Sequence, residues 1–139
     1  MVCVFRSRQR MGNYRALIGK EFIYGEQDCF SLVRQFYAMR GVDLPDYERP
    51  VDLHSSDSIF LDQAVAYGFK SVPFEDRQLG DVLIMRLGTR TPMHAAIYIP
   101  DDKILHQRHG SLSALEVFGR YYRSRVAAVY RYATGDACG

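Results

Sequence analysis

The sequence predicts a single α+β domain in which helices come first and an antiparallel sheet follows. Its 139 residues, 47% of them hydrophobic and 24% charged, fit one globular core. Residues 28–40 have helical spacing, whereas after Gly80 the chain breaks into short β-branched or aromatic runs separated by turn residues. Helices followed by a run of strands are typical of α+β domains. We expect one domain over residues 1–139, with its core over about 14–132 and loose termini.

The first predicted helix spans residues 28–40. Its apolar side chains recur on one face, at Leu32, Val33, Phe36 and Tyr37. Asp28 can cap the N-terminus, which places Cys29 in the first turn and on the apolar face. Gly41 follows where a helix typically ends. We therefore expect the thiol of Cys29 to point toward the core and not into open solvent.

An acidic loop and a second helix are predicted next. The loop covers residues 43–52 and contains Pro45 and Pro50. A helix is expected over about 57–67, and Gly68 would end it.

The C-terminal half is predicted to form five strands, with a helical turn at about 118–123 before the last one. The strands are expected at 82–87, 94–99, 103–107, 112–117 and 126–132.

A hairpin between the second and third of these strands brings two histidines together. A reversal centred on Pro100 places His94 directly opposite His106, with Cβ atoms about 4.5–5.5 Å apart. A slip of one residue would move one of the two rings to the other face of the sheet. The register is therefore a testable expectation.

Cys29, His94 and His106 together have the residue types of a cysteine hydrolase. A thiol at a helix N-terminus meets the positive end of the helix dipole, which favours the thiolate. One histidine can accept the thiol proton, and a second polar group can fix the tautomer and orientation of that histidine. Backbone N–H groups at the helix start, including that of Cys29, can bind an oxyanion.

Other interpretations of these residues remain open at this stage. A single cysteine on an apolar helix face is often only a small core residue. Zinc could be bound by Cys29, His94, His106 and His109, although none of them falls in a compact ligand pair. The arginines near the N-terminus could form a nucleic-acid-binding arm, but no known reading motif accompanies them, so nucleic-acid binding is not predicted.

The sequence lacks the motifs that are typical of several other classes of protein. Cys3 and Cys138 are the other two cysteines, and an odd number without a CxxC pair indicates neither a disulfide framework nor a zinc ribbon. No GxSxG elbow, Walker loop or dinucleotide fingerprint is present. No apolar run approaches the roughly 20 residues of a membrane span, and the N-terminus does not have the pattern of a secretory signal. We expect no membrane insertion, no metal and no cofactor.

Three blocks of the sequence resemble the NlpC family of cysteine peptidases. Residues 24–33, YGEQDCFSLV, resemble the signature around the nucleophile of that family. Residues 79–84, LGDVLI, resemble its Gly-Asp-Leu strand, and residues 94–106 resemble its block with two histidines. The blocks occur in the same order as in the family and cover roughly residues 18–132.

This resemblance implies a papain-like fold in which the nucleophile begins a helix packed on an antiparallel sheet. It also implies that Cys29 is the nucleophile, His94 the general base and His106 the residue that orients it. Asp28, Tyr24 and the backbone of Cys29 are the candidate positions for oxyanion or substrate binding. Phe22 stands where many members have a tyrosine thought to assist the oxyanion site, and Phe30-Ser31 replace the usual Ser-Gly.

The resemblance is strongest to the tail-assembly branch of the family, found in tailed phages. It implies a tail-tip peptidoglycan endopeptidase that cuts wall peptides during genome delivery, at the bond between D-γ-glutamate and diaminopimelate. The expected partners are peptidoglycan stem peptides and tail-tip or hub proteins. The expected location is the virion tail, after synthesis in the host cytoplasm without a signal peptide, with action in the periplasm or cell wall. The alternatives are a structural tail-hub adaptor with little or no hydrolytic activity and a peptidase that matures tail proteins.

Overall fold

The computed structural model describes residues 14–46 and 64–132, and it confirms the α+β class. One long helix, α1, lies against a six-stranded antiparallel sheet with the strand order β1-β6-β2-β3-β4-β5. The helical segments are the 3-10 turns Tyr14–Leu17 and Phe74–Asp76, α1 (Cys29–Met39) and the short α2 (Arg120–Arg123). The strands are β1 (Phe69–Ser71), β2 (Val82–Met85), β3 (His94–Ile99), β4 (Lys103–His106), β5 (Ala114–Val117) and β6 (Val126–Tyr132).

All five predicted strands are present, and a sixth was missed. The predicted bounds of 94–99 and 126–132 are confirmed, whereas the other three strands are one or two residues shorter than predicted. The strand missed by the sequence analysis is β1, which pairs with the end of β6 from Phe69↔Tyr132 to Ser71↔Tyr130. A strand of three residues, two of them polar and exposed, is too short to show an alternating pattern.

Helix α1 forms where the sequence predicts it, because both of its ends carry the expected signals. Asp28 caps the N-terminus, and Gly41, with φ of 82°, adopts the left-handed conformation that commonly follows a C-terminus. The apolar face of α1 is buried against one face of the sheet, with Phe36 and Leu32 at most 1% exposed. The helix thereby fixes its first residue, Cys29, relative to the central strands.

The second face of the sheet is covered by the C-terminal part of the chain. Phe118 and Tyr122 pack there on Ala96 and Ile104, in a core separate from that of α1. Side chains alternate between faces along a strand, so His94 lies on the same face as Ala96. Helix α1 therefore packs on the first face of the sheet, and the two histidines lie on the second face.

The predicted register of the β3–β4 hairpin is wrong by two residues. His106 pairs with Ala96, not with His94, because the reversal is centred on Asp101 instead of Pro100. Asp101 and Asp102 both have positive φ, 67° and 56°, which is the conformation of tight hairpin turns. A shift of two residues leaves side chains on their original faces, so the two imidazoles still share one face.

The strand β2 begins at a buried ion pair. Asp81 is 2% exposed, and its carboxylate accepts hydrogen bonds from Arg131 at 3.0 and 2.9 Å. Beside it, the Tyr37 hydroxyl donates to the Gly80 carbonyl at 2.6 Å, which joins α1 to the sheet. The Gly-Asp motif thus anchors the start of β2.

Some predictions fall outside the described residues. The acidic loop beyond residue 46, the predicted helix as far as residue 63, Arg6, Arg8 and Arg10 of the N-terminal arginines, Cys3 and Cys138 lie there. The extent of the domain over 1–139 stays a prediction. Residues 64–68 form a turn that leads into β1, with the Phe69 N–H donating to the Ala64 carbonyl at 3.0 Å. Within the described residues, no helix has the length and apolar character needed to cross a membrane.

Candidate active site

The side chain of Asp28 holds the start of α1 and the loop before it. Its Oδ1 accepts from the backbone N–H of Ser31 at 3.0 Å and from the Ser31 hydroxyl at 2.9 Å. Its Oδ2 accepts from the backbone N–H of Gly25 at 3.0 Å. The carboxylate is buried and holds this loop and the helix start together. Its contact with a substrate stays a prediction.

Cys29 is the first residue of α1, and its side chain is half-buried and forms no disulfide. Its Sγ lies 3.7 Å from the carbonyl oxygen of Met93, the residue before His94. The start of α1 thus lies close to the start of β3. The backbone N–H groups of a helix start and the helix dipole favour a thiolate at this position.

The loop in front of the cysteine is a tight reversal. Ile23 and Gln27 exchange backbone hydrogen bonds of 2.9 and 2.7 Å, and Gly25 supplies a φ of 83°. Tyr24, at the tip of the reversal, is 41% exposed, and its ring centroid lies 6.1 Å from that of His109. Tyr24 is therefore accessible beside the helix start, and its part in substrate binding stays a prediction.

His94 and His106 form a directly coupled pair. The His94 Nε2 lies 2.9 Å from the His106 Nδ1, and the two residues are 7% and 1% exposed. The imidazoles reach each other diagonally across the hairpin, a separation that long side chains can span. Because Nε2 of His94 is engaged with His106, Nδ1 is the ring nitrogen left for a partner outside the pair.

The surroundings keep both imidazoles neutral near neutral pH. Burial holds the pKa of His94 well below its ordinary value, and electrostatic repulsion from His106 when that ring is protonated and from Arg108 adds to the shift. Burial also lowers the pKa of His106, although the hydrogen bond and charge of Glu116 oppose this shift. A neutral His94 has a free lone pair and can accept a proton.

Glu116 and Tyr122 extend this chain of hydrogen bonds, and the sequence analysis missed both. The His106 Nε2 lies 2.6 Å from Oε1 of Glu116, and the Tyr122 hydroxyl donates to the same oxygen at 2.5 Å. Glu116 lies on β5 two residues beyond Ala114, the partner of His106. Extending the alternation argument to a β4–β5 hairpin would have placed Glu116 on the histidine face.

A set of glutamines joins the cysteine loop to the end of β4. Gln27 Nε2 donates to Gln107 Oε1 at 3.1 Å and to Gln35 Oε1 at 3.2 Å. The side chain of Gln107 is fully buried and donates to the carbonyls of Lys20 and Ser111. Gln107 directly follows His106, so this link joins the loop before Cys29 to the strand that carries His106.

The remaining candidates lie at the margin of the site. Phe22 has no hydroxyl to offer, and its ring packs against His109 with the centroids 4.7 Å apart. Among residues 14–46 and 64–132, no three His, Cys, Asp or Glu side chains are grouped so that they could hold a metal ion.

Comparison with known sequences identifies a family. The model of the NlpC/P60 family matches residues 19–131. The chain is also 34% identical over 117 residues to the tail tip assembly protein K of Escherichia phage lambda. That match covers 84% of this chain and 59% of the phage protein, so the chain spans little more than half the length of this relative.

Solved structures show the same fold at low sequence identity. The peptidoglycan hydrolase RipB from Mycobacterium tuberculosis superposes with a TM-score of 0.67 at 15% identity, over 96% of this chain and 67% of that protein. An NLP/P60-family protein from Staphylococcus aureus, described as similar to a lipoprotein, gives a TM-score of 0.66 at 18% identity, over 94% and 42% of the two chains. Both pairs share the overall arrangement of helix and sheet described above.

Proposed function

Because the chain belongs to the NlpC/P60 family, we propose that it is a cysteine peptidase of the phage tail tip that hydrolyses peptide amide bonds of the cell wall. The observation that carries the proposal is the buried His94–His106 pair, coupled at 2.9 Å beside the cysteine that begins α1. A structural relative that is a peptidoglycan hydrolase supports the proposed substrate class, and the phage relative supports the proposed tail-tip location.

The proposed reaction begins with transfer of the Cys29 thiol proton to His94. The thiolate sulfur then attacks the amide carbonyl, and backbone N–H groups at the start of α1 stabilise the oxyanion. His94 returns the proton to the leaving amine, and the acyl-enzyme remains on Cys29. Water then attacks the acyl-enzyme with His94 as general base, which releases the acid product and restores the thiol. His106 orients the ring of His94 throughout.

The finer assignments belong to the same proposal. The bond cut would be that between D-γ-glutamate and diaminopimelate, during genome delivery. The partners would be peptidoglycan stem peptides and the tail-tip or hub proteins that hold the enzyme in the virion. The particle would carry the enzyme to the periplasm or cell wall.

Digestion of purified sacculi tests the proposal. The wild-type chain should release fragments whose masses identify the cut bond, whereas Cys29→Ala should release none while keeping its far-UV circular dichroism spectrum. Cys138→Ala is the matched control for loss of a thiol and should remain active. Undiminished release by Cys29→Ala would contradict the proposal, and cleavage of purified tail proteins alone would assign the enzyme to tail maturation.

The second candidate function is a tail-hub adaptor with a peptidase fold and little or no hydrolysis. The observation that favours it is Phe22, which brings no hydroxyl to the oxyanion side of the site. Alkylation by iodoacetamide near neutral pH separates the two functions in a Cys3→Ala/Cys138→Ala chain, where Cys29 is the one remaining thiol. Fast alkylation that slows in His94→Gln supports the peptidase, and an inert thiol supports the adaptor.

A further inference from the structure

The hydrogen bonds of the histidine pair end on a carboxylate. Glu116 Oε1 lies 2.6 Å from the His106 Nε2 and also accepts from the Tyr122 hydroxyl. Partial burial acts to raise the pKa of Glu116, but the hydrogen bonds from Tyr122 and His106 outweigh it and hold that pKa below its usual value. The group is therefore ionised at neutral pH and can only accept hydrogen bonds.

An ionised Glu116 determines where the protons lie on both rings. Since the carboxylate has no proton to donate, the hydrogen between it and His106 must be on the His106 Nε2. A neutral His106 then has a bare Nδ1, which accepts the hydrogen on the His94 Nε2 at 2.9 Å. A neutral His94 that carries its proton on Nε2 has a bare Nδ1.

We infer that Glu116 is a positioning residue that acts through His106 to keep the Nδ1 of His94 unprotonated and ready to receive the proton of the Cys29 thiol. This inference rests on the proposed function, because it assigns the nitrogen used in its first step. When the thiol proton moves to Nδ1, the His94 imidazolium still donates from Nε2 to His106. No proton needs to leave Glu116 or reach it.

The negative charge of Glu116 also supports the charged state of the site. Forming the thiolate places a positive charge on His94, and the positive guanidinium of Arg108 opposes that charge. Glu116, two hydrogen bonds away, attracts it. Tyr122 stays a hydrogen-bond donor, because burial and its bond to Glu116 raise its pKa to about 12.

The geometry around Glu116 explains how one carboxylate can act on a buried pair from the protein surface. The side chain of Glu116 is 42% exposed, whereas that of His106 is 1% exposed. The ring of Tyr122 meets that of His106 edge-on at 5.1 Å and fixes the direction of approach. Oε1 is therefore held by two donors while the side chain as a whole stays partly exposed.

Replacing Glu116 by glutamine tests the inference in kinetics. The new amide would keep the shape of the carboxylate but could either donate or accept, so the tautomer would no longer be imposed. We expect kcat/KM on wall peptides to fall about 10- to 100-fold. This loss is smaller than the roughly 10⁴-fold loss known when a tautomer-setting carboxylate directly contacts the catalytic histidine.

Three further variants serve as comparisons for Glu116→Gln. Glu116→Asp should retain more activity than Glu116→Gln, and in Tyr122→Phe kcat/KM should fall less than about tenfold, because one charge-assisted hydrogen bond disappears. Glu75→Gln, which neutralises an exposed glutamate in the 3-10 turn after β1, is the matched control and should match the wild type.

Two further measurements respond to the tautomer and not to folding alone. In the chain with Cys29 as its one thiol, Glu116→Gln should move the pH midpoint of iodoacetamide alkylation upward, because the imidazolium that accompanies the thiolate loses a favourable charge. In Cys29→Ala, long-range ¹H–¹⁵N spectra should show His94 protonated on Nε2. Adding Glu116→Gln should produce a population protonated on Nδ1.

The outcomes separate this inference from the proposed function. If Cys29→Ala abolishes cleavage but Glu116→Gln keeps wild-type kcat/KM and alkylation midpoint, the inference is overturned and the proposed function stands. If Cys29→Ala cleaves as well as the wild type, the proposed function fails. Should Glu116→Gln not fold, His94 protonated on Nδ1 in Cys29→Ala would still overturn the inference, and protonation on Nε2 together with a slowed Tyr122→Phe would support it.

Discussion

The nucleophile half and the imidazole half of the candidate site differ in how they are built. The nucleophile half is local, because residues 23–31 supply the reversal, the cap and the sulfur within one stretch of chain. The imidazole half joins His94 on β3, His106 on β4, Glu116 on β5 and Tyr122 on α2. One half depends on a helix start, and the other depends on the register of three strands.

This difference determines how each half should respond to mutation. A helix cap acts within one turn, so damage to it should destabilise the helix start and leave the histidines in place. A chain of buried hydrogen bonds acts as a unit, so removing one member should affect all the others. Variants can therefore break one half at a time.

The largest effect is expected from breaking the imidazole half alone. His94→Gln removes the group that we propose as acceptor of the thiol proton, so kcat/KM should fall by about 10²- to 10⁴-fold. The far-UV circular dichroism spectrum should be unchanged, because the cap of α1 lies in the nucleophile half. His109→Gln, an exposed histidine outside the hydrogen-bonded chain, should retain full activity.

The pH dependence of stability should also distinguish the halves. Burial depresses the pKa of His94 and of His106, so below about pH 6.5 the unfolded chain binds more protons than the folded one. The free energy of unfolding should therefore fall from pH 7.5 to pH 5.5, by at most about 1.4 kcal/mol per pH unit for each histidine. Urea titrations measure this slope, and His94→Gln should flatten it. A slope that His94→Gln leaves unchanged would show that this histidine is as easily protonated in the folded protein as in the unfolded one.

Asp28 gives the corresponding test of the nucleophile half. Asp28→Ala removes the cap and the acceptor of the Gly25 N–H, and should cost about 2 kcal/mol of unfolding free energy. Asp28→Asn keeps an oxygen for the Ser31 N–H and should cost less. The ¹⁵N shifts of His94 and His106 should stay at their wild-type values in both variants. Histidine shifts that move with the cap would show that the two halves are not independent.

The smallest effect is expected at the side-chain link between the nucleophile loop and the end of β4. Gln27→Ala removes the hydrogen bonds to Gln107 and Gln35 and should cost about 1 kcal/mol. A double-mutant cycle of Gln27 and Gln107, followed by urea unfolding, should give a coupling energy of about 0.5–1.5 kcal/mol. A coupling near zero would mean that the two halves are aligned by the cores alone.

Local signals in the sequence predicted the parts of the fold that depend on near neighbours. Asp28 before an apolar helical face and Gly41 after it indicate both ends of α1. Short β-branched runs indicate β2 to β6. The even separation of 12 positions between His94 and His106 keeps their rings on one face, even though the register was predicted two residues off. These features follow from caps and periodicity, which act within a few residues.

Pairing across the sheet decided the rest. The exact partner of His106, the strand β1 and the placement of Glu116 beside His106 each depend on which strands meet and where the Asp101–Asp102 turn reverses the chain. The sequence by itself determined helix α1, the position of Cys29 in its first turn and the shared face of the two histidines, because a cap, a helical face and an alternating strand are local. Only the tertiary structure decided that a carboxylate from β5 and a hydroxyl from α2 complete the histidine pair, because these contacts depend on which strands pair and in which register.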